Sequence, residues 1–523
     1  MPVASATTVA PAVCSVTEGL KLLTPQQIQE FLVNGFLVLK ADQDAAFFGA
    51  LFEHCNRMLA ERKGNEGNNI LPHMPEIQEI FDCPTIKGAL TSLLGPRYMM
   101  HPHRHMHTNQ KGEGGGWHKD SYWGYTRKIR NHRPWWVMIM FYPQDVPPEM
   151  GPTGVVRGSQ CHLDRLGKGN DEIGSVHVTG QAGTCFLIHY DIWHRATANT
   201  TMNTRHMLKF EFIRLDPPFE GSQECLPRQQ SELGDWTAPE TDLPPAPHQG
   251  MWRQHWNWLK GSRTPAKRPR MSGNVGRQIE ALKSGDPQQR ANAADALETL
   301  GPAAVEAIPA LIETLADTYE PAALNAAYAL AAIGSEAIAP VVRAMRSSPA
   351  RASLMACYAL SAMSAEAAPA LLNVLASDAE PRVRAQAAFA LGEIPSVEPQ
   401  VLEGLAAALR DVDPFVRHCA IEALGHKGAA ASAVLDSVLE SLSDSDTDVR
   451  FNAVLALCRM GRAASPAVSA LAKCLKDTDR YVRGYAVEAL RHIGTAEAHA
   501  VLIPYLMTTR WCESTTHAST FYP

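Results

Sequence analysis

Three histidine–aspartate pairs in the sequence have the spacing of metal ligands: His118-Lys-Asp120, His162-Leu-Asp164 and His189-Tyr-Asp191. Residues two apart on a strand project to one face. With a distant histidine added, such a pair makes the two-histidine, one-carboxylate face that holds non-haem iron(II) and leaves positions open. The motif alone is weak, and the distance to a third donor separates the copies. His118 lies 76 residues before His194, room for several strands before the chain returns. His162 has 32 residues before His194, and His189 has 17 before His206, so these two read as a loop and a strand-end turn. The first pair also follows Lys-Gly-Glu-Gly-Gly-Gly-Trp, a flexible approach that leaves the metal face open. Arg205, 11 residues beyond His194, is a candidate anion site. A cosubstrate such as 2-oxoglutarate chelates iron through its 1-carboxylate and 2-keto oxygen. Its 5-carboxylate then needs a cation, and a guanidinium can hold it through two hydrogen bonds.

Other residues surround this set. His101, His103, His105 and His107 fall on one strand face at period two, as a zinc cluster or as a wall of the site. Tyr122, Trp123 and Tyr125 follow Asp120 and form either an aromatic substrate wall or core. The elements that must position them run from about residue 22 to 215. Thr24 opens a capped amphipathic helix that runs into a strand after Gly35, and residues 44–61 make a second helix. Short strand-like runs follow at 97–109, 135–142, 175–178, 184–189 and 206–215. Separated by turn residues, they suit a double-sheet jelly roll rather than alternating strands and helices.

The segments WHKD (117–120), GPTGVVRGSQ (151–160) and WHRATANTTMNTR (193–205) resemble the phytanoyl-CoA dioxygenase family. The resemblance covers roughly residues 22–215. It implies a double-stranded β-helix with flanking helices, and an Fe(II)- and 2-oxoglutarate-dependent dioxygenase that consumes O2. It implies His118, Asp120 and His194 as ligands, Arg205 and Asn199 at the family's offsets beyond the distal histidine, and His107 beside the cosubstrate. Ala196 stands where relatives commonly have a cosubstrate-contacting serine, leaving Thr197 or Thr201 for that role. Thr184 and Gln160 also depart from the pattern. Asp120 fills the place that is small in related halogenases, so hydroxylation or desaturation of a small-molecule substrate, of natural-product or acyl class, is implied. A protein-substrate hydroxylase and a degenerate domain acting as a scaffold are the alternatives.

From about residue 272 the pattern changes. Ala-Leu dipeptides place Leu297, Leu330, Leu360, Leu391, Leu424, Leu457 and Leu490 at spacings of 33, 30, 31, 33, 33 and 33. Four units share an aspartate six residues before an arginine: Asp378/Arg384, Asp411/Arg417, Asp444/Arg450 and Asp477/Arg483. Each aspartate is placed to cap a turn and pair with an arginine of its own or the next repeat. Paired helices at this period make an all-α solenoid, and the units resemble HEAT-like repeats. The array holds no His-Glu pair, which sets aside the di-iron deoxyhypusine hydroxylases built on similar repeats. The solenoid is expected to bind a protein partner or a second copy. Between the halves, Trp252, Trp256 and Trp258 predict a docked helix, and Lys260, Arg263, Lys267, Arg268 and Arg270 a solvated basic run. The division is a flexible leader (1–20), the jelly roll (21–215), a connector (216–273), about seven repeats (274–507) and a tail (508–523). The net charge of −6 argues against nucleic acid as a partner. No apolar run suits a membrane span, and the start lacks a secretory pattern. Eleven cysteines without a Cys-x-x-Cys pair suit buried thiols in a reducing cytoplasm.

Overall fold

The computed structural model describes residues 18–61, 67–120, 129–164, 174–218, 233–237, 248–262 and 274–508. The first helix, Pro25–Asn34, opens on a capping box: the Thr24 hydroxyl accepts the Gln27 N–H, and the Gln27 side chain accepts the Thr24 N–H. Gly35, at φ 79°, ends it and turns the chain into the first strand, as the sequence predicts.

Eight strands follow among the described residues: β1 (Phe36–Lys40), β2 (Tyr98–Asn109), β3 (Trp136–Phe141), β4 (Thr153–Val156), β5 (Ser175–Val178), β6 (Thr184–His189), β7 (His194–Ala196) and β8 (Arg205–Arg214). They form two antiparallel sheets, in the orders β1-β6-β3-β8-β2 and β5-β4-β7. Every residue of β3, β6 and β8 is buried. Helices cover the far side of the larger sheet, with Phe48 against Phe141 and Phe81 against Phe210 and Phe212. A strand covered on both faces reads as a continuous apolar run, as Trp136–Phe141 does. β2 carries a register shift between Met100 and Arg104. Pro102 in that stretch has no N–H to give a ladder.

The C-terminal half is a stack of paired helices from Val275–Ala281 to Ala496–Thr508. Recurrent arginines tie the repeats together. Arg290, Arg384, Arg417 and Arg450 each donate through Nε and Nη2 to the aspartate 27 residues on (Asp317, Asp411, Asp444, Asp477), at 2.5–3.2 Å. The partner is thus the next repeat's aspartate. Nη1 reaches back to the carbonyl six residues earlier, which in three cases is that of the arginine's own shared aspartate. The shared aspartate does not cap the helix. It accepts the N–H two residues on, and in three repeats Asp413, Asp446 or Asp479 is the N-cap.

The second helix of each repeat faces the strand domain. His132 lies 4.3 Å, ring to ring, from Tyr358, and Trp135 stacks on His426 at 4.0 Å. The Arg459 guanidinium also lies over the Trp135 ring, 4.9 Å from its centroid. Glu393 takes Arg133 and Asn131, and Glu320 accepts the Leu163 and Asp164 N–H groups. At the far end Tyr481 stacks on His101 and its hydroxyl bonds His103. The connector helix, Gln249–Leu259, is wedged between the halves with Trp252, Trp256 and Trp258 buried. Trp258 meets Trp135 and the Arg214 guanidinium. Lys260 donates to the Gly234 carbonyl; the rest of the basic run lies outside the described residues. Among the described residues no helix is long and apolar enough to cross a membrane, and the eight described cysteines are buried.

Candidate metal centre

His118 and His194 meet across a backbone bridge: the His118 N–H donates to the His194 carbonyl at 3.0 Å, and the reverse bond is 2.9 Å. The bridge belongs to a longer pairing. The Gly115 N–H donates to Ala196, the Gly112 N–H to Asn199, and the Asn199 N–H to Glu113. The glycine-rich run is therefore an ordered border of β7, where the sequence suggested a flexible approach. The run packs close to β7: a Cβ on Gly114 would lie 3.4 Å from the Ala198 backbone, near ordinary van der Waals contact.

This pairing puts the donor atoms of His118, Asp120 and His194 within 4.8 Å of one another. His118 is exposed while Asp120 and His194 are buried, so one side of the group faces outward. Both imidazoles are oriented by their own backbone. His118 Nδ1 lies 3.0 Å from the Gly116 carbonyl, and His194 Nδ1 lies 3.1 Å from that of Ile192. A ring that donates through Nδ1 carries its lone pair on Nε2, the form a metal takes. His194 Nε2 is 3.7 Å from the Asp120 carboxylate. Burial pushes His194 down to about 4 despite Asp120, so the ring is neutral.

Asp120 also accepts from Lys209 on β8, at 3.0 Å. Burial alone would raise the Asp120 carboxyl; Lys209, with His194 and His118, outweighs it and holds the group below its ordinary range. Lys209 is two positions along one strand face from Glu211 and four from Arg205. Lys209 and Glu211, two charged residues on one face of the otherwise apolar run Met207–Ile213 and in step with Arg205, are the signal that marks Lys209 as part of the site.

Arg205 is buried and its Nε donates to the Gly151 carbonyl at 3.1 Å. Among the described residues its Nη1 has no hydrogen-bond partner and no carboxylate pairs with it. Gly151, at φ 69°, makes this arrangement possible: a Cβ there would meet the Asn109 amide at 2.5 Å and the Thr197 carbonyl at 2.7 Å.

The other site candidates divide. His107, opposite Met207, lies two residues along β2 from Asn109, which pairs with Arg205; burial, with His105, Lys209 and Arg205 around it, keeps its ring neutral. His105 stands opposite Lys209. The histidine rings form a row that leads from this point to the solenoid, and among the described residues they do not converge as a metal group. Asn199 spends its amide on the Asn109 and Asn203 carbonyls and its oxygen on Thr201. The Thr197 hydroxyl donates to the Pro152 carbonyl. Both brace the turn between β7 and β8. Tyr122, Trp123 and Tyr125 lie outside the described residues. The two other His-x-Asp pairs are used elsewhere: Asp164 pairs with Arg351, and Asp191 with Arg130 and Lys119.

Residues 38–207 match the family model for phytanoyl-CoA dioxygenase, and residues 368–457 and 435–511 match that for HEAT repeats. No curated protein matches the chain. Among solved structures, the chain is similar to the non-heme alpha-ketoglutarate-dependent carbocyclase SnoK from nogalamycin biosynthesis, with 18% identity over 37% of this chain and 85% of that one and a TM-score of 0.31. HygX from Streptomyces hygroscopicus, with nickel and 2-oxoglutarate bound, is 14% identical over 37% and 88%, with a TM-score of 0.31. EctD from S. alaskensis is 18% identical over 37% and 78%, with a TM-score of 0.32.

Proposed function

We propose that the phytanoyl-CoA dioxygenase domain of this chain is a non-haem iron(II)- and 2-oxoglutarate-dependent oxygenase that hydroxylates a C–H bond of a small molecule. The carrying observation is the pairing of two features. Two imidazoles present Nε2 beside a carboxylate, and a buried guanidinium with an open donor stands at the start of β8, the strand that carries Lys209.

The donor set suits iron(II), which takes two imidazoles and one carboxylate on a single face. Held by His118, Asp120 and His194, iron(II) would supply, with O2 and 2-oxoglutarate, the oxidative chemistry that hydroxylates a C–H bond. The protein does the holding. Lys209 keeps Asp120 ionised and aimed at the histidines. Arg205 receives the distal carboxylate of 2-oxoglutarate through the donor that Gly151 leaves open. Asn199 and Thr197 hold the turn that brings Arg205 into place, and His107 offers a neutral ring beside the cosubstrate. Asp120 occupies the third ligand place, which favours hydroxylation over halide transfer.

The HEAT repeats serve first as a scaffold for their own oxygenase, since their inner helices are occupied by it. A protein partner or second copy would then meet the outer helices. The test is anaerobic addition of Fe(II) and 2-oxoglutarate to the full chain. A weak visible charge-transfer band should form only when both are present, and its absence at saturating concentrations would sink the reading.

A further inference from the structure

A second group of metal donors lies away from this centre, and we infer that Cys161, His162 and His248 form a zinc site that clamps the connector to the oxygenase domain. Cys161 and His162 close the tight turn after β4; His248 precedes the connector helix, 86 residues further on. All three are buried, and their donor atoms lie within 4.8 Å of one another. The other described cysteines belong to no such group.

The hydrogen bonds around His248 fix its tautomer. The Asn325 amide nitrogen donates to the Ala291 carbonyl at 3.0 Å, so its oxygen must face His248. His248 Nδ1 donates to that oxygen at 2.5 Å, which leaves the lone pair on Nε2. This is the outer support that a ligating imidazole requires. The lone pair points at His162 Nε2, 2.9 Å away. One proton therefore sits between two nitrogens, and a cation can replace it. Zinc–nitrogen bonds of about 2.0–2.1 Å at tetrahedral angles separate two nitrogens by roughly 3.3 Å, so the pair need open by only a few tenths of an ångström. Cys161 Sγ, now donating to the Gly158 carbonyl at 3.0 Å, supplies the third ligand as a thiolate, its proton leaving to solvent. A water completes four-coordination.

Burial, with Glu320 and Asp191 nearby, pushes the Cys161 thiol up to about 12 against Lys119, so the metal itself must drive its deprotonation. The site would also buttress the first one. Lys119 stands between His118 and Asp120 in the chain, and its ammonium donates to the His162 carbonyl at 2.7 Å and to Ser159 at 3.0 Å.

The test uses the full chain, stripped of metal and titrated with Co(II) alone. The expected result is a near-ultraviolet thiolate-to-cobalt charge-transfer band, which His118, Asp120 and His194 cannot give because they hold no sulfur. Zn(II) should remove the band by competition, and Cys161→Ser should abolish it while far-ultraviolet circular dichroism is unchanged. No thiolate band in the wild-type chain at saturating Co(II) means a hydrogen-bonded histidine pair only, and overturns the site. A band that survives in Cys161→Ser does the same, because another cysteine is then the ligand. If Cys161→Ser does not fold, His248→Gln carries the test, and an undiminished band there also overturns the assignment.

Discussion

At the residue scale, the proposed ligands are not equivalent in what their loss leaves behind. His118→Ala, Asp120→Ala and His194→Ala should each abolish substrate-dependent succinate formation, since each removes one donor from a three-donor site. Asp120→Ala also takes the nearest carboxylate from the buried Lys209, leaving Glu211 at 4.0 Å. We expect it alone of the three to lower unfolding stability by about 3 kcal/mol, the scale of a broken buried ion pair. Adding Lys209→Met should restore stability but not iron binding; a wild-type denaturation midpoint in Asp120→Ala would show that the pair is not structural. Arg205→Ala should raise the apparent KM for 2-oxoglutarate far more than that for the substrate, by about 2–5 kcal/mol in binding terms. Dependence within about twofold of wild type would mean that another cation fills the role. The spacing of His118, Asp120, His194 and Arg205 was readable because it reflects strand alternation and return. The duties of Asn199 and Thr197 were not, because residue type does not tell whether an amide or hydroxyl serves a ligand or its own turn. Only the carbonyl positions of Asn109 and Pro152 decide that.

The elements show the same division. Helix caps and strand runs follow local rules, so the helix from Thr24 to Gly35 and the repeat period were visible in the sequence. Pairing between repeats was visible only as alternatives. An aspartate six residues before an arginine is near it, but so is the aspartate 27 residues after, one helix pair on. The guanidinium uses both, the first through a carbonyl and the second through its carboxylate. Arg417→Ala should therefore cost about 1–2 kcal/mol by loss of one rung between repeats, read as a lower denaturant midpoint. Arg417→Lys should not rescue it, since an ammonium cannot make the paired Nε and Nη2 bonds. A lysine variant as stable as wild type would show that the fork geometry contributes nothing.

For the whole molecule, the strand domain and the repeats pack as one joined body, with the connector helix between them. No periodicity announces this, because Trp135, His132 and His101 look like ordinary strand and loop residues until His426, Tyr358 and Tyr481 are placed against them. Nine of the ten tryptophans precede residue 260, so their fluorescence follows the first half, while far-ultraviolet circular dichroism follows chiefly the repeats. The two signals should report coincident unfolding; separated midpoints would show that the halves unfold independently. Glu393 should make the joint acid-sensitive. Burial opposes its ionisation, but Arg133 and His426 prevail and hold it at about 2. A depressed carboxyl stabilises the fold above its unfolded value and loses that contribution as pH falls through the folded one. The stability gap between wild type and Glu393→Gln should thus shrink by about 3 kcal/mol from pH about 5 to about 2. A constant gap would remove Glu393 from the joint. The order of the halves then acts in time. A ribosome delivers the strand domain first, and at roughly 5–20 residues per second residues 274–508 follow over roughly ten to fifty seconds. Through that interval the nascent domain shows water the aromatic rings that Tyr328, Tyr358, His426 and finally Tyr481 will cover, in that order of synthesis. Each new repeat shields the next part of the surface, so translation itself closes the molecule from the connector towards His101, and a pause late in the message leaves the His101 end bare longest.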